Sequence, residues 1–134
     1  MSCKSAIYTA NTTAAVTAIG STIPFGSIIR RFGQNIDLSG TAINICGRGY
    51  YDVDISVTAN ATAAGTVTVT LFKDGVAVPG ATASATAAAA GDAVNLSIEA
   101  LVREMCRDST STLTLVLTGA AATVTNVAAV VEKL

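Results

Sequence analysis

The sequence predicts an all-β domain, a sandwich or barrel of short antiparallel strands. In segment after segment, aliphatic and polar residues alternate with a period of two, and turn residues separate the segments. An Asp-Gly pair between two such segments is typical of a tight hairpin. Hydrophobic residues make up 51% of the chain, yet aromatic residues make up only 4% and tryptophan is absent. Small and β-branched side chains must therefore build the core.

Residues 52–58 show the alternation most clearly, because every odd position is aliphatic and every even one is polar. A strand with this sequence turns one apolar face inward and one polar face outward. Three further segments repeat the pattern and are also predicted to be strands: residues 66–71, 94–98 and 112–115.

Asp74 and Gly75 lie between two apolar segments and predict a hairpin there. Both residues tolerate the positive φ angles that a two-residue type I′ turn requires. Pro79 and Gly80 follow, and we expect them to disrupt or end the pairing, since proline lacks the N–H that a central ladder needs.

Three segments are harder to assign. Residues 81–90 are rich in alanine, but polar residues at alternate positions favour a strand, followed by a loop at Gly91 and Asp92. Residues 98–106 have apolar spacings of two, three and four, so they fit either a strand or a short helix. Residues 123–131 end apolar on both faces, which predicts a strand covered by the core on one side and by a neighbouring subunit on the other.

The front third is less regular. Residues 7–9 and 14–19 predict edge strands, and residues 24–40 predict short strands broken by glycines. No linker or repeat divides the 134 residues, so we expect one domain with one core.

Charge excludes one class of partner. The chain has eight Lys and Arg residues, a net charge of -1 and a pI of about 5.1, and its basic residues are scattered along the sequence. Nucleic acid is therefore not an expected partner, because phosphate binding needs clustered cations. Only 13% of the residues are charged, so the surface repels its own copies weakly.

The sequence shows neither a signal peptide nor an apolar run long enough to cross a bilayer. We expect the product to begin in the cytoplasm and not to insert into membranes. Cys3, Cys46 and Cys106 are odd in number and far apart, which favours reduced, buried thiols over disulfides or a zinc site.

No residue pattern predicts catalysis, a metal or a cofactor. Histidine, the commonest general base, is absent. Asp52 and Asp54 share one face of their strand and could bind a cation or act as a carboxylate pair, but a solvated polar face explains them better. Tyr50 and Tyr51 could form a stacking platform that faces a sugar or peptide ligand, although aromatic residues at a strand start more often fill a core edge. We expect no enzyme.

From Ile23 to Leu134 the order of these features resembles the jelly-roll heads of the tumour-necrosis-factor and complement fold. The similarity is greatest to the C-terminal head of collagen-like exosporium glycoproteins and to bacteriophage head and tail fibre heads. It rests on three stretches, in the family's order: residues 49–57, the hairpin region 67–81, and residues 113–115 followed by 124–134. The chain lacks the collagen-like stalk of those glycoproteins.

The resemblance implies an antiparallel jelly-roll β-sandwich that forms a homotrimer through apolar strand faces around a threefold axis. We predict that Val124, Val127, Ala129 and Val131 contact the neighbouring copies. Residues 21–134 would form the head, and residues 1–20 an edge strand or tether.

The resemblance also suggests a setting. We predict a capsid decoration or head-fibre subunit on a bacteriophage virion, anchored by a capsid or fibre protein and binding a host-surface carbohydrate. The alternative is a trimeric binding module on a bacterial cell or spore surface.

Overall fold

The computed structural model describes residues 4–104 and 110–134, and these residues form twelve β-strands and no helix. That part of the chain therefore offers no helix able to cross a membrane. In chain order the strands are β1 (Ala6–Asn11), β2 (Ala15–Thr17), β3 (Thr22–Ile23), β4 (Ser27–Phe32), β5 (Ile36–Ser39), β6 (Ala42–Cys46), β7 (Gly49–Ala61), β8 (Gly65–Lys73), β9 (Val76–Ala87), β10 (Ala93–Glu104), β11 (Thr110–Leu117) and β12 (Ala122–Lys133).

The strands form two antiparallel sheets that enclose the core between them. Sheet A has the order β10-β7-β12-β1-β4, with β2 also paired to β12. Sheet B has the order β5-β6-β11-β8-β9, with β3 also paired to β11. From β6 onward the chain crosses repeatedly from one sheet to the other, as a jelly roll does. The predicted all-β sandwich is confirmed.

The core consists mainly of small and β-branched side chains, as the composition predicts. The odd positions of β7 from Tyr51 to Ala61 are buried, and so are Val67, Val69 and Leu71 on β8. Tyr51 and Phe25 are the largest side chains that are completely enclosed. Burial of an aliphatic side chain of this size contributes about 1.5–3 kcal/mol, so the alternating strands supply most of the favourable free energy.

The Asp-Gly hairpin is confirmed. Asp74 has a φ of 52° and Gly75 a φ of 81°, and the flanking residues Lys73 and Val76 pair across the turn. The Asp74 carboxylate also accepts a hydrogen bond of 3.0 Å from the backbone N–H of Thr112, which ties the hairpin to β11.

Pro79 and Gly80 disrupt the hairpin pairing but do not end the strand. The register of β8 and β9 shifts next to them, and β9 then continues to Ala87. The shift is tolerated because β9 lies at the edge of sheet B, where a missing N–H breaks no central ladder. The predicted loop follows, and the Asp92 carboxylate accepts hydrogen bonds from two backbone N–H groups at 3.1 and 3.2 Å.

The ambiguous segment after residue 98 is a strand as far as Glu104. It belongs to β10, which pairs with β7 without interruption from Ala93 opposite Asn60 to Glu104 opposite Gly49. Residues 105 and 106 lie outside the described residues.

The prediction of an N-terminal edge strand is wrong for residues 7–9. They belong to β1, which pairs with β12 on one side and with β4 on the other. β2 then continues along β12, opposite Ala122–Val124. The side chains of Ile7 and Thr9 are buried in the core, so this segment is an integral part of the sandwich and not a tether.

Candidate functional site

The outer face of sheet A, the face turned away from the core, carries the candidate site. Among the described residues, eight of the eleven exposed large hydrophobic side chains belong to the strands of this sheet. They are Tyr8, Val16, Ile28, Ile29, Phe32, Tyr50, Leu101 and Val130. Exposed apolar side chains concentrated on one sheet mark a candidate interaction surface.

The pairing register arranges the middle of this face in rows. One row runs Glu99, Asp54, Val130, Tyr8 and Arg30, from β10 across to β4. Val130 is 37% exposed and Tyr8 38%, so both present apolar surface at the centre of the sheet while the charged residues lie toward its sides. This is the arrangement of an apolar centre with a polar rim that protein interfaces share.

A shallow depression of about 410 Å³ lies beside Val130. Its floor and walls include the small side chains Ser56, Ser97 and Ala128, which face outward from three adjacent strands. Small side chains leave the sheet accessible to a bulky group on another molecule. The outer face therefore combines a concave feature, the depression, with a protruding apolar side chain, Val130.

Carboxylates gather next to the apolar centre. The pKa of Asp52 is raised, first by its partial burial and then by the charges of Asp54 and Glu132. One carboxylate oxygen of Asp54 is buried without a hydrogen-bond partner. Within the described residues there is no group of three or more acidic or thiol side chains placed to hold a metal ion. Asp52 and Asp54 therefore lie on the outer face of the sheet, where Asp54 lines the depression and pairs with Glu99 on β10.

Asp52→Asn is expected to stabilise the folded chain at neutral pH by less than about 1 kcal/mol, because a solvent-screened charge has a small effect. A carboxyl whose pKa is raised on folding favours the folded state only while it is protonated, so stability falls as pH rises through that pKa. The gain of the variant should therefore vanish in acid. Urea unfolding at several pH values checks this, and a gain that is equally large in acid would contradict it.

Tyr50 and Tyr51 point to opposite sides of β7. Tyr50 is 47% exposed on the outer face, and the guanidinium of Arg103 lies 5.5 Å from its ring centre. Tyr51 is completely buried, and its hydroxyl shares its proton between the carbonyl oxygens of Cys46 and Gly47, each at 2.8 Å. The predicted ligand-facing role is therefore excluded for Tyr51, because successive side chains of a strand face opposite ways. For Tyr50 it stays a prediction.

Tyr51→Phe is expected to lower the free energy of unfolding by about 1–3 kcal/mol, since it removes the donor for two carbonyl groups. Burial raises the pKa of Tyr51 from 10.0 to about 12, with the charges of Cys46 and Glu104 adding to it. The tyrosine contribution is thus present below pH 10 and is lost as pH rises toward 12. Thermal melts of both proteins should show the difference narrowing over that range, and a constant difference would contradict this account.

The four residues predicted to form the trimer contact lie inside a single chain. Val127, Ala129 and Val131 are completely buried and Val124 is 4% exposed, all on the core side of β12. A second copy cannot reach them, so this assignment is corrected. Their neighbours Ala128 and Val130 face outward on the same strand and are the residues available for contact.

The outer face of sheet B differs in chemistry. Threonine and serine hydroxyls pair across its strands, as in Thr68 with Ser84 at 2.9 Å and Thr70 with Thr82 at 3.0 Å. Such pairs satisfy one another and stabilise the sheet. This face is mainly polar where these pairs lie, and partly exposed apolar residues such as Phe72 and Val116 lie among them.

Solved structures match this architecture closely, although no family model and no curated protein matches the sequence. Eiger TNF from S. frugiperda superposes with a TM-score of 0.72 at 10% identity, over 97% of this chain and 91% of that one. Murine APRIL gives 0.65 at 12% identity, over 98% and 99%. The globular domain of zebrafish complement 1qA gives 0.64 at 7% identity, over 96% and 94%.

This chain has the TNF/C1q-like jelly-roll fold. The match covers nearly the whole chain, so β1 and β2 belong to the TNF/C1q-like unit together with the other strands. The identities of 7–12% establish the fold alone, and the suggested relation to exosporium and phage heads stays a prediction.

Tyr8 and Val130, the two apolar residues at the centre of the outer face, were not predicted as site residues from the sequence. Tyr8 could have been found from the alternation in β1, since Ile7 and Thr9 are both buried and the residue between them must face outward. Val130 could not be distinguished from Val131, because both faces of that segment are apolar in sequence.

Proposed function

We propose that the chain is a non-catalytic structural or binding protein that forms a homotrimer through the outer face of sheet A. The observation that carries the proposal is the concentration of exposed apolar residues on that face, set against the threonine-rich face of sheet B. A closed ring of copies buries equivalent apolar faces around one axis. The resemblance to trimeric jelly-roll heads supports a ring of three copies.

The absence of enzymatic activity is part of the proposal. Asp52 lies opposite Glu132, and Asp54 lies opposite Glu99, on an exposed sheet. The chain has no histidine to act as a general base for the serine hydroxyls nearby. Carboxylates that only repel one another, without a cation or a hydrogen-bonded base to activate a nucleophile, do not make a catalytic constellation. The TNF/C1q-like fold of its neighbours adds support but no direct measurement of activity.

We further propose that the trimer is mounted on a bacteriophage virion, as a capsid decoration or head-fibre subunit held by a capsid or fibre protein. Its support is the sequence resemblance to phage fibre heads and the free thiol of Cys46, since a thiol that stays reduced suits assembly in a reducing compartment. Cys46 is exposed, so the prediction that it is buried is wrong, and Cys3 and Cys106 lie outside the described residues. A host-surface carbohydrate is the proposed external partner, with the exposed ring of Tyr50 as one contact.

Immunogold electron microscopy of the native source tests where the protein is mounted. Antibodies raised against the folded chain should label the capsid or fibres of virus particles. Labelling of cell walls or spore coats, with unlabelled particles, would instead favour the bacterial surface module. A trimer that is found in neither place would overturn the mounting while leaving the self-association intact.

A further inference from the structure

One end of the sandwich holds a cleft that the outer-face proposal does not use. Its volume is about 620 Å³, and four separate parts of the chain meet there: the segment before β1, the turn between β4 and β5, the turn between β6 and β7, and the end of β12. The polar side chains that line it belong to Lys4, Gln34, Asn35, Arg48 and Lys133.

The charge of this cleft is uniformly positive. Lys4, Arg48 and Lys133 supply three of the eight cations of the chain, and the described lining residues include no carboxylate. The ion pairs recorded among the described residues engage Arg31 and Lys73 and leave these three cations without an acidic partner. Three like charges around one concavity repel one another, so a bound anion would relieve a cost that the free protein bears.

Hydrogen bonds fix the walls of the cleft before any ligand arrives. The hydroxyl of the buried Ser5 donates to the Asn35 side-chain oxygen at 3.0 Å and accepts from the Asn35 backbone N–H at 3.1 Å. The Asn35 amide donates to the Cys46 carbonyl at 2.7 Å, and the Cys46 N–H donates back to the Asn35 carbonyl at 2.7 Å. The Lys133 N–H donates to the Ser5 carbonyl at 2.8 Å. The three cationic segments are thus joined through one buried serine and one asparagine.

Two glycines make this close approach feasible. Gly33 has a φ of +80°, and a Cβ there would lie 2.5 Å from the Lys4 carbonyl oxygen. Gly47 has a φ of +100°, and a Cβ there would lie 2.5 Å from the Asn35 amide nitrogen. Both turns therefore need glycine, because of the positive φ angle and because a side chain would clash with the neighbouring segment. The two close contacts hold Lys4 and Arg48 next to the hydrogen-bonded pair Ser5 and Asn35.

We propose that this cleft is a binding site for a doubly charged tetrahedral oxyanion, as carried by a phosphate monoester. Three cations that line one pocket can donate charge-assisted hydrogen bonds to the oxygens of such a group, and the side-chain amide of Gln34 adds a neutral donor. A singly charged carboxylate would leave most of the positive charge unbalanced. A nucleic-acid backbone does not suit the site, because the cations line one pocket instead of a continuous groove.

The site is formed by one chain alone, and it does not depend on self-association or on the mounting of a trimer. Oxyanion binding in this cleft would be a second binding activity, separate from the self-association assigned to the outer face of sheet A. Loss of the trimer and loss of the oxyanion site can therefore be observed separately in the same protein.

The test is a titration of the full ¹⁵N-labelled chain with inorganic phosphate, inorganic sulfate and acetate at low ionic strength, followed by two-dimensional NMR. Glucose 6-phosphate and the singly charged glucose 6-sulfate, added in separate arms, test whether the second charge is needed. We expect the phosphate ester to bind more tightly, and equal binding of the two esters would contradict a site for a doubly charged group. The variants are Arg48→Gln together with Lys133→Gln, and the matched control is Lys73→Gln on the hairpin between β8 and β9. Circular dichroism melts establish that each variant is folded.

We expect saturable shifts confined to the amides of residues 33–35, 47–49 and 133–134 with phosphate or sulfate, and much weaker ones with acetate. Removing two of the three cations should weaken binding by about 100-fold or more, because each charge-assisted contact is worth about ten-fold. The affinity of the Lys73→Gln control should stay within about two-fold of the unsubstituted chain, because the effect of a distant surface charge is screened by salt. Shifts that do not saturate, that spread over the whole surface, or that weaken equally in the control would overturn the proposal.

Discussion

A Val130→Asp variant is expected to be a monomer at concentrations at which the unsubstituted chain is a trimer. Val130 lies at the centre of the outer face of sheet A, next to Tyr8 and opposite the carboxylate of Asp54. In the single chain the new carboxylate is exposed to water and costs little. In an assembly built on this face it is enclosed near other carboxylates, where an unpaired ion costs several kcal/mol. Since each 1.4 kcal/mol is about ten-fold in affinity, association should weaken by about 100-fold or more.

Val116→Asp is the matched control for this experiment. Val116 lies on β11, partly buried, and faces outward from sheet B opposite Thr70. The Val116→Asp variant introduces the same aspartate side chain on a strand of the other sheet. Sedimentation velocity of both variants should give a monomer for Val130→Asp and an unchanged mass for Val116→Asp. The opposite pattern would place the contact on sheet B and contradict the assignment.

A Val127→Asp variant is expected to be unfolded at room temperature. Val127 is three residues before Val130 but faces the core, where it is completely buried and pairs with Val57 and Asn11. A carboxylate at this position has no cation beside it and costs several kcal/mol to bury. Small domains have a total stability of about 5–15 kcal/mol, so this single change removes much or all of it.

Circular dichroism and thermal melting separate this loss from a loss of association. Val130→Asp should keep the strand spectrum and a cooperative melt, whereas Val127→Asp should show neither. Val127→Ala provides a milder form, with an expected loss of about 1–3 kcal/mol from lost burial and cavity formation. A folded, monomeric Val127→Asp protein would mean that Val127 lies at the surface and that the original prediction for it was correct.

The local strand pattern could be predicted from sequence because it depends on neighbours along the chain. Alternation fixed which side of β7 faces inward, and Asp74 and Gly75 located the hairpin turn. These features need only a period of two and the φ preferences of individual residues. The Asp-Gly turn and the buried odd positions of β7 follow from that alone.

The residues of the outer face could not be predicted because they depend on pairing across the sheet. β12 is apolar on both faces, so its sequence cannot tell Val131, which is buried, from Val130, which is exposed. The place of β1 between β12 and β4 likewise results from long-range pairing. Tyr50 and Tyr51 show the same limit, because two adjacent aromatic residues must face opposite ways and the sequence does not say which is enclosed.

The grouping of cations in the cleft could not be predicted from their positions in the sequence. Lys4, Arg48 and Lys133 are scattered along the chain, and on that basis the composition argued against any concentration of positive charge. The antiparallel pairing of β1 with β12 brings the two ends of the chain together, and the glycine turns bring Arg48 to the same place. Only the topology places three of the eight basic residues around one pocket.

The mass of the native chain in solution, measured by sedimentation equilibrium at micromolar concentration, tests the central proposal most directly. The chain mass is 13.4 kDa, so a homotrimer has three times that value, about 40 kDa. We predict the trimer mass, reduced to 13.4 kDa by Val130→Asp. A native chain that sediments as a 13.4 kDa monomer would contradict the assignment of the outer face of sheet A as an interface between copies.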